Sequence, residues 1–276
     1  MALGFALSKL CFEGPEDDLR LTANTQPAML TVAIAALRVF EAEFGIAAAV
    51  AAGHSLGEYS ALVAAGALKF PDAVRAVRER GRMMQEACPQ GQGAMAALIG
   101  LELDVVKEIC VTVSVDGEIA VPANLNAPGQ IVIAGHAAPV RRAIDIAKER
   151  GAAMSVELKV SAPFHCPLMK PAQDGMTPIL RGLDISPLKF PVIANVTAEP
   201  NSDRTKVAQL LIEQITSPVR WTESMDHLGK FGVTDAIEFG CGKVLMGMMR
   251  RINKNIRVRP LEDMVSLKTI REAFSK

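Results

Sequence analysis

Aromatic residues are scarce: one Trp, one Tyr and ten Phe make up 4% of 276 residues, while half the chain is apolar. An apolar fraction carried by Ala, Val, Leu, Ile and Met disfavours an all-β sandwich and suits an α/β protein with covered sheet faces. Charge of one sign is also missing. Thirty Lys and Arg balance thirty Asp and Glu, which removes any global electrostatic case for nucleic acid or membrane and leaves only local basic patches. The five cysteines (Cys11, Cys88, Cys110, Cys166, Cys241) are odd in number, widely spaced and form no CxxC pair. Neither a zinc site nor a disulfide framework is indicated, no metal is expected, and a reducing compartment is the simplest reading. The N-terminal MALGFALSKLCFEGPEDD lacks the charged start and long apolar run of a signal peptide. No apolar run reaches membrane-spanning length, because Gly53, His54, Glu58 and Tyr59 interrupt the most apolar region. The expectation is a cytoplasmic protein.

What is present reads as alternating strands and helices without repeats, low-complexity tracts or long linkers. Thr25 is placed to cap a helix with Pro27 in its first turn, an apolar stripe of Met29, Leu30, Ala33, Leu37 and Phe40, and a stop at Gly45. Ile46–Ala52 reads as a buried strand that turns through Gly53 and Gly57 into a helix over Leu56–Ala65. Between 92 and 160 the pattern changes. A strand (Ala94–Gly100), a helix (Asp104–Val111), a hairpin (Ile119–Asn124 and Gln130–Gly135), a helix (Pro139–Arg150) and a strand (Met154–Val160) succeed one another. This β-α-β-β-α-β order is the ferredoxin-like arrangement. The fold expected is therefore α/β, with a parallel-sheet core over 1–91 and 161–276 and an inserted ferredoxin-like subdomain over 92–160. Strands at Phe190–Val196 and Asp235–Phe239 and helices at Arg204–Thr216 and the C-terminus complete the core.

Gly53-His-Ser-Leu-Gly57 is G-x-S-x-G between a strand and a helix, the pattern of a nucleophile elbow. In that reading Ser55 is the nucleophile, and the amide of Leu56 at the helix N-terminus stabilises an oxyanion; the alternative is an incidental glycine-rich turn. Of four histidines, His165 stands in a proline-stiffened loop, Ser161-Ala-Pro-Phe-His-Cys-Pro167, where a base is well held. His54 reads as lining the pocket, His136 as a helix start, His227 as solvated surface and Cys166 as packing. Arg80 interrupts the apolar stripe of Ala73, Val77 and Met84, so it either snorkels to the helix edge or clamps a substrate carboxylate with its fork. Gly240-Cys-Gly-Lys243 is too short for a phosphate loop and reads as a strand-to-helix turn.

Several further stretches fall in a family's order: Thr25-Gln-Pro-Ala, Ala52-Gly-His-Ser-Leu-Gly-Glu-Tyr59, Arg80-Gly, Asn126-Ala-Pro-Gly-Gln130, Pro163-Phe-His-Cys-Pro167, Ser217-Pro-Val-Arg-Trp221 and Gly242-Lys-Val-Leu245. On these the chain resembles the malonyl-CoA:acyl-carrier-protein transacylases over nearly its whole length. The resemblance implies a hydrolase-like α/β core with a ferredoxin-like insert. It implies Ser55 as the acylated serine, His165 as its base and Arg80 as partner of the malonyl carboxylate. Gln214 would orient the histidine through its backbone carbonyl, and Gln26 and His54 would line the acyl pocket. The implied chemistry is ping-pong transfer from malonyl-CoA to acyl carrier protein, with no cofactor, by a monomer. Arg250, Arg251, Lys254 and Lys170 are candidates for docking the acidic carrier.

The family opens with a strand and a Gly-Gln-Gly-Ser-Gln loop that donates a second oxyanion N–H. This chain starts beyond it, and the expectation is an N-terminally truncated member, with a rate loss of about 10²–10³ for one missing donor. Two other readings stay open: a serine hydrolase or thioesterase, which needs a carboxylate partner for His165, and a non-catalytic family member. An organelle matrix is the alternative location if a targeting segment precedes Met1.

Overall fold

The long helix predicted from Thr25 starts earlier and spans Thr22–Phe44, ending as expected at Gly45 in the left-handed conformation. The computed structural model describes residues 2–274, and the predicted core's outermost residues, Met1, Ser275 and Lys276, lie outside them. Two short helices, Leu7–Glu13 and Glu16–Arg20, precede the long one. Thr25 is consequently inside the helix rather than at its cap: its hydroxyl donates to the carbonyl of Leu19 at 2.6 Å and of Leu21 at 3.2 Å. Pro27 lies inside the helix rather than in its first turn.

The strand predicted over Ile46–Ala52 shrinks to Ala51–Ala52, and Ile46 is 44% exposed. Among the described residues its only ladder partner is Val192–Ile193, to which it runs parallel; Val192–Ile193 in turn pairs antiparallel with Pro200–Asn201. A strand extends only as far as a neighbour satisfies its backbone groups, so Phe190–Val196 is shortened for the same reason. A separate parallel pair joins Asp235–Phe239 to Arg257–Leu261. The single parallel sheet expected for the core is thus two small sheets, one mixed and one parallel, and the fold is α/β with mixed and antiparallel sheets. Helices cover them: Tyr59, Leu62, Val74, Val77, Met176 and Leu211 belong to one buried cluster.

The middle of the chain keeps the order read from its sequence: Gly93–Ile99, helix Leu103–Val113, Ala120–Ala127, Gln130–His136, helix Ala137–Glu149 and Met154–Glu157. In space the four strands lie in the order 120–127, 130–136, 93–99, 154–157, every neighbour antiparallel. One face packs Leu98, Ile131 and Ile133 under the two helices with Val106, Ile109, Val140 and Ile144. The other face sets Met95, Ala123, Val132 and Ala134 against Cys166, with Phe164 and Leu168 alongside. That second contact seats the histidine loop. Strand Ala120–Ala127 also joins the larger core directly: Leu125 N donates to Val219 O and Val219 N to Ala123 O, each at 2.9 Å.

Candidate active site

Ser55 sits where the Ala51–Ala52 strand meets the Gly57–Ala64 helix, with φ of 51°. A serine in the left-handed region is strained by about 1–3 kcal/mol, so its surroundings must hold it. Asn195 does so, accepting from Ser55 N through Oδ1 at 2.6 Å and donating from Nδ2 to Gly53 O at 2.7 Å. Gly53 is required by space: a Cβ there would lie 2.0 Å from the carbonyl carbon and oxygen of Gly57. The turn therefore projects Oγ outward and leaves the Leu56 amide without a hydrogen-bond partner among the described residues, aimed from the helix N-terminus.

His165 also has a positive φ, 58°, and its Nε2 lies 2.7 Å from Ser55 Oγ. Its Nδ1 lies 2.9 Å from the carbonyl oxygen of Gln214. A carbonyl only accepts, so Nδ1 carries the proton and Nε2 is left to accept from the serine hydroxyl. Burial, followed by the nearby Arg80 charge, pulls the imidazole down to about 3, against the opposing pull of the Gln214 carbonyl. His165 is neutral at physiological pH, so its Nε2 lone pair faces the serine hydroxyl. The partner that a hydrolase triad requires, a carboxylate on Nδ1, is replaced here by a backbone carbonyl.

Arg80 lies on the Phe70–Glu86 helix and is 1% exposed, which removes the snorkelling reading. Gly81 beside it lets this helix approach the Thr22–Phe44 helix closely, since a Cβ there would meet Thr22 O at 2.4 Å. The Arg80 guanidinium reaches across to that helix. It donates to Gln26 Oε1 at 2.7 Å, to Gln214 Oε1 at 2.8 Å and to Ser55 Oγ at 3.0 Å, and its face lies over the Tyr59 ring at 5.6 Å. A cavity of 140 Å³ is lined by Ser55, Leu56, His165, Arg80 and Gln26, with Thr22, Met84 and Phe164. It brings together a nucleophile, a base, an oxyanion donor and a buried cation.

His54 is not among the residues lining this cavity. Adjacent side chains leave a tight turn in different directions, and His54 Nε2 faces Asn126 Oδ1 at 2.9 Å beside the Trp221 ring, 5.5 Å away. Burial lowers its pKa. His136 precedes the Ala137–Glu149 helix, its Nδ1 accepting from Ile119 N. His227 departs from the solvated-surface expectation: its side chain is 17% exposed and faces Glu199 at 3.4 Å, because the Trp221–Lys230 helix buries Ser224, Met225 and Leu228 beside it. Cys166 is fully buried. Gly240–Lys243 connects the Asp235–Phe239 strand to the Val244–Ile252 helix. Arg250, Arg251 and Lys254 are exposed at that helix's end, whereas Lys170 is engaged with Asp174 at 2.5 Å. No group of His, Cys, Asp and Glu among the described residues is arranged to hold a metal ion, and no described helix is long and apolar enough to cross a membrane.

Two residues of the site escape the sequence reading. Asn195 carries the elbow, and its one signal is a polar residue closing an apolar stretch. Glu58, 3% exposed, accepts on Oε2 from Asn195 N at 3.0 Å and from Gln214 Nε2 at 2.8 Å; the sequence marks it only as a charge interrupting an apolar helix.

A strained serine on a strand-to-helix elbow, paired with a histidine in an α/β fold, defines a serine acyl-transfer centre. Residues 1–251 match the acyl transferase domain family. The malonyl CoA-acyl carrier protein transacylase of Bacillus subtilis is 48% identical over 257 residues, 93% of this chain and 81% of that protein. The one from Escherichia coli strain K12 is 43% identical over 262 residues, 95% of this chain and 84% of that protein. Among solved structures, the transacylase of Coxiella burnetii superposes with a TM-score of 0.94 at 41% identity, covering 98% of this chain and 85% of that one. A malonyl-transacylase in complex with its type II PKS acyl-carrier protein gives 0.95 at 42% identity, covering 99% and 88%. The chain belongs to the acyl transferase domain family, in its malonyl CoA-acyl carrier protein transacylase branch.

Proposed function

We propose that this protein moves a malonyl group from coenzyme A to the phosphopantetheine thiol of acyl carrier protein, through an ester on Ser55. The observation that carries this reading is the convergence on one cavity of a histidine-paired serine and a buried arginine. Ser55 Oγ meets His165 Nε2 at 2.7 Å and an Arg80 donor at 3.0 Å. An acyl group with a free carboxylate has a partner in Arg80 while its thioester carbonyl lies at Ser55.

In the first half-reaction His165 Nε2 takes the hydroxyl proton as Ser55 Oγ bonds to the thioester carbon. The carbonyl oxygen gains negative charge, which the Leu56 amide stabilises. The C–S bond then breaks, and the leaving thiolate receives the proton from His165. In the second half-reaction the carrier's thiol gives its proton to His165 and attacks the ester carbon; the C–O bond breaks and Ser55 recovers the proton. Gln214 holds His165 in the required tautomer throughout, and Gln26 steadies Arg80. His54, joined to Asn126, acts at the edge of this site as support. No metal or organic cofactor enters, since coenzyme A arrives as the acyl carrier. We place the activity in the cytoplasm, with Arg250, Arg251 and Lys254 offering positive charge to an acidic carrier, and read the protein as a monomer.

The architecture supports the same family reading at finer grain. We take 1–91 and 161–276 as a hydrolase-like core and 92–160 as a ferredoxin-like insert, on the strength of the four-stranded antiparallel order within the middle segment.

The test is intact-protein mass spectrometry after brief exposure to malonyl-CoA. A malonyl-sized adduct on the unmodified protein, absent from Ser55→Ala, is the expected result. A folded protein that takes up no adduct, or one whose adduct survives Ser55→Ala, overturns the reading.

A further inference from the structure

Arg80 is buried, yet the groups it donates to among the described residues, Gln26, Ser55 and Gln214, are uncharged. A buried cation is normally balanced by a carboxylate in direct contact. Here the nearest carboxylate in the bonding network is one residue removed. Gln214 Oε1 accepts from Arg80 at 2.8 Å, while its Nε2 donates to Glu58 Oε2 at 2.8 Å and to Ser55 O at 2.9 Å. Glu58 is itself 3% exposed and its Oε2 is anchored a second time by Asn195 N at 3.0 Å.

A carboxamide offers an acceptor on one side and two donors on the other, and a half-turn exchanges them. Arg80 can only donate, so it needs the Gln214 oxygen. The two groups opposite, Ser55 O and Glu58 Oε2, need the Gln214 nitrogen. Glu58 is the only one of these acceptors that belongs to a side chain, and the proposed reaction uses it for nothing else. Had a carboxylate touched Arg80 directly, the guanidinium would be tied up in an ion pair and a substrate carboxylate would have to displace it. Routing the charge through an amide keeps the arginine oriented and electrostatically supported, while its fork is held by neutral acceptors that a carboxylate can displace.

We propose that Glu58 is a positioning residue for acyl selectivity: it fixes the Gln214 side-chain amide with its oxygen toward Arg80, and so fixes the guanidinium where an acyl carboxylate binds. This rests on the malonyl reading of the site and adds a residue with no contact to the acyl group. Its effect falls mainly on substrates bearing a carboxylate: the Gln214 carbonyl that holds His165 is part of the backbone, and the bond from Asn195 N, though it ties Glu58 to the elbow, is separate from the two Asn195 side-chain bonds that hold Ser55 and Gly53.

The experiment compares Ser55 acylation by malonyl-CoA and by acetyl-CoA, across thioester concentration, in four proteins: Glu58→Met, Glu58→Gln, Gln214→Met and the Glu58→Met/Gln214→Met double variant. The unmodified protein is the reference, and near-ultraviolet circular dichroism establishes folding. Expected is a malonyl-CoA KM raised about tenfold in Glu58→Met, the size of one hydrogen bond to a charged group, with the acetyl-CoA reaction changed less than threefold. Glu58→Gln, whose amide oxygen can still accept both N–H groups, restores the malonyl KM to within about threefold. In the double variant Glu58→Met adds nothing to Gln214→Met, since one acts through the other. Equal losses for both thioesters, an unchanged malonyl preference, or full additivity in the double variant overturns the proposal. Should Glu58→Met not fold, Gln214→Met decides: an unchanged malonyl preference there overturns it as well. If the unmodified protein takes up no malonyl group, the functional reading falls and this proposal with it. If it is acylated and only Glu58 proves indifferent, the positioning role alone is lost.

Discussion

Arg80 shows how one side chain can be both a stability problem and a recognition device. Buried without a carboxylate in contact, it holds binding energy that an acyl carboxylate can draw on, and an acetyl group cannot. Arg80→Lys keeps the charge but loses the planar fork that meets Gln26, Gln214 and Ser55 together. Its malonyl-CoA KM is expected to rise about 10- to 100-fold while acetyl-CoA acylation of Ser55 changes little, measured by single-turnover mass spectrometry. Which residues of the site can be read in advance depends on their chemistry. Ser55 has a five-residue pattern with correct flanks, and His165 is one of only four histidines. Arg80 offends an apolar stripe, which leaves two readings that only its depth in the fold separates. Asn195 and Glu58 have no such signature, because they act by hydrogen bonds to partners 137 to 156 positions away, and sequence spacing carries no trace of that.

At the scale of elements, helix termini decide as much as strands. Glu238, at the end of the Asp235–Phe239 strand, accepts from Leu245 N at 2.9 Å and Met246 N at 2.8 Å, one oxygen each. A carboxylate that covers the free amides at the start of the Val244–Ile252 helix also complements its dipole. Glu238→Gln, which can accept on one oxygen only, is expected to lower stability by about 1–2 kcal/mol in urea unfolding, without altering Ser55 acylation from malonyl-CoA. The helix itself is legible from the Gly240–Lys243 turn that introduces it. Helices and the antiparallel strands of the middle segment come through from the sequence because their signals are local: periodicity, Gly and Pro punctuation, a hairpin at Pro128-Gly129. The two-residue strands Ala51–Ala52 and Val192–Ile193 do not, since strand length is set by the partner, and the apolar content of Ile46–Ala52 says nothing about where its ladder stops.

For the whole molecule, three buried titrating groups give stability a pH dependence of mixed sign. His165, held at about 3 by burial and by Arg80, stays unprotonated in the fold, whereas the unfolded chain takes up a proton near 6.5. Its contribution is complete above pH 6.5 and is lost as pH falls toward 3; His54, also lowered by burial, acts in the same direction. Glu58 opposes them. Burial raises it from 4.5 to about 7 against the hydrogen bonds from Asn195 and Gln214, so the folded chain keeps a proton that the unfolded one releases. That contribution is complete below pH 4.5 and is lost as pH rises through 7. Each such proton tilts stability by up to about 1.4 kcal/mol per pH unit inside its window. Melting temperature measured from pH 8 to pH 4 is therefore expected to fall less steeply below pH 6.5 in His165→Ala than in the unmodified protein. In Glu58→Gln it is expected to fall more steeply between pH 7 and pH 4.5, because the opposing group is gone.

The paired bonds between Leu125 and Val219 and between Val219 and Ala123 have a consequence for how the chain comes apart. They make a segment near residue 219 a neighbour of the middle sheet, so the middle segment is sewn to the rest of the chain along a seam as well as tethered at its two ends. Cutting the chain at 92 and 160 would not release a self-contained piece. It would open a raw backbone edge on each side of the seam, where the freed amides and carbonyls must find water or each other. Melting of either part is therefore expected to carry the other with it, and the loop of His165, which is seated against the middle sheet, to lose its registry with Ser55 in the same event.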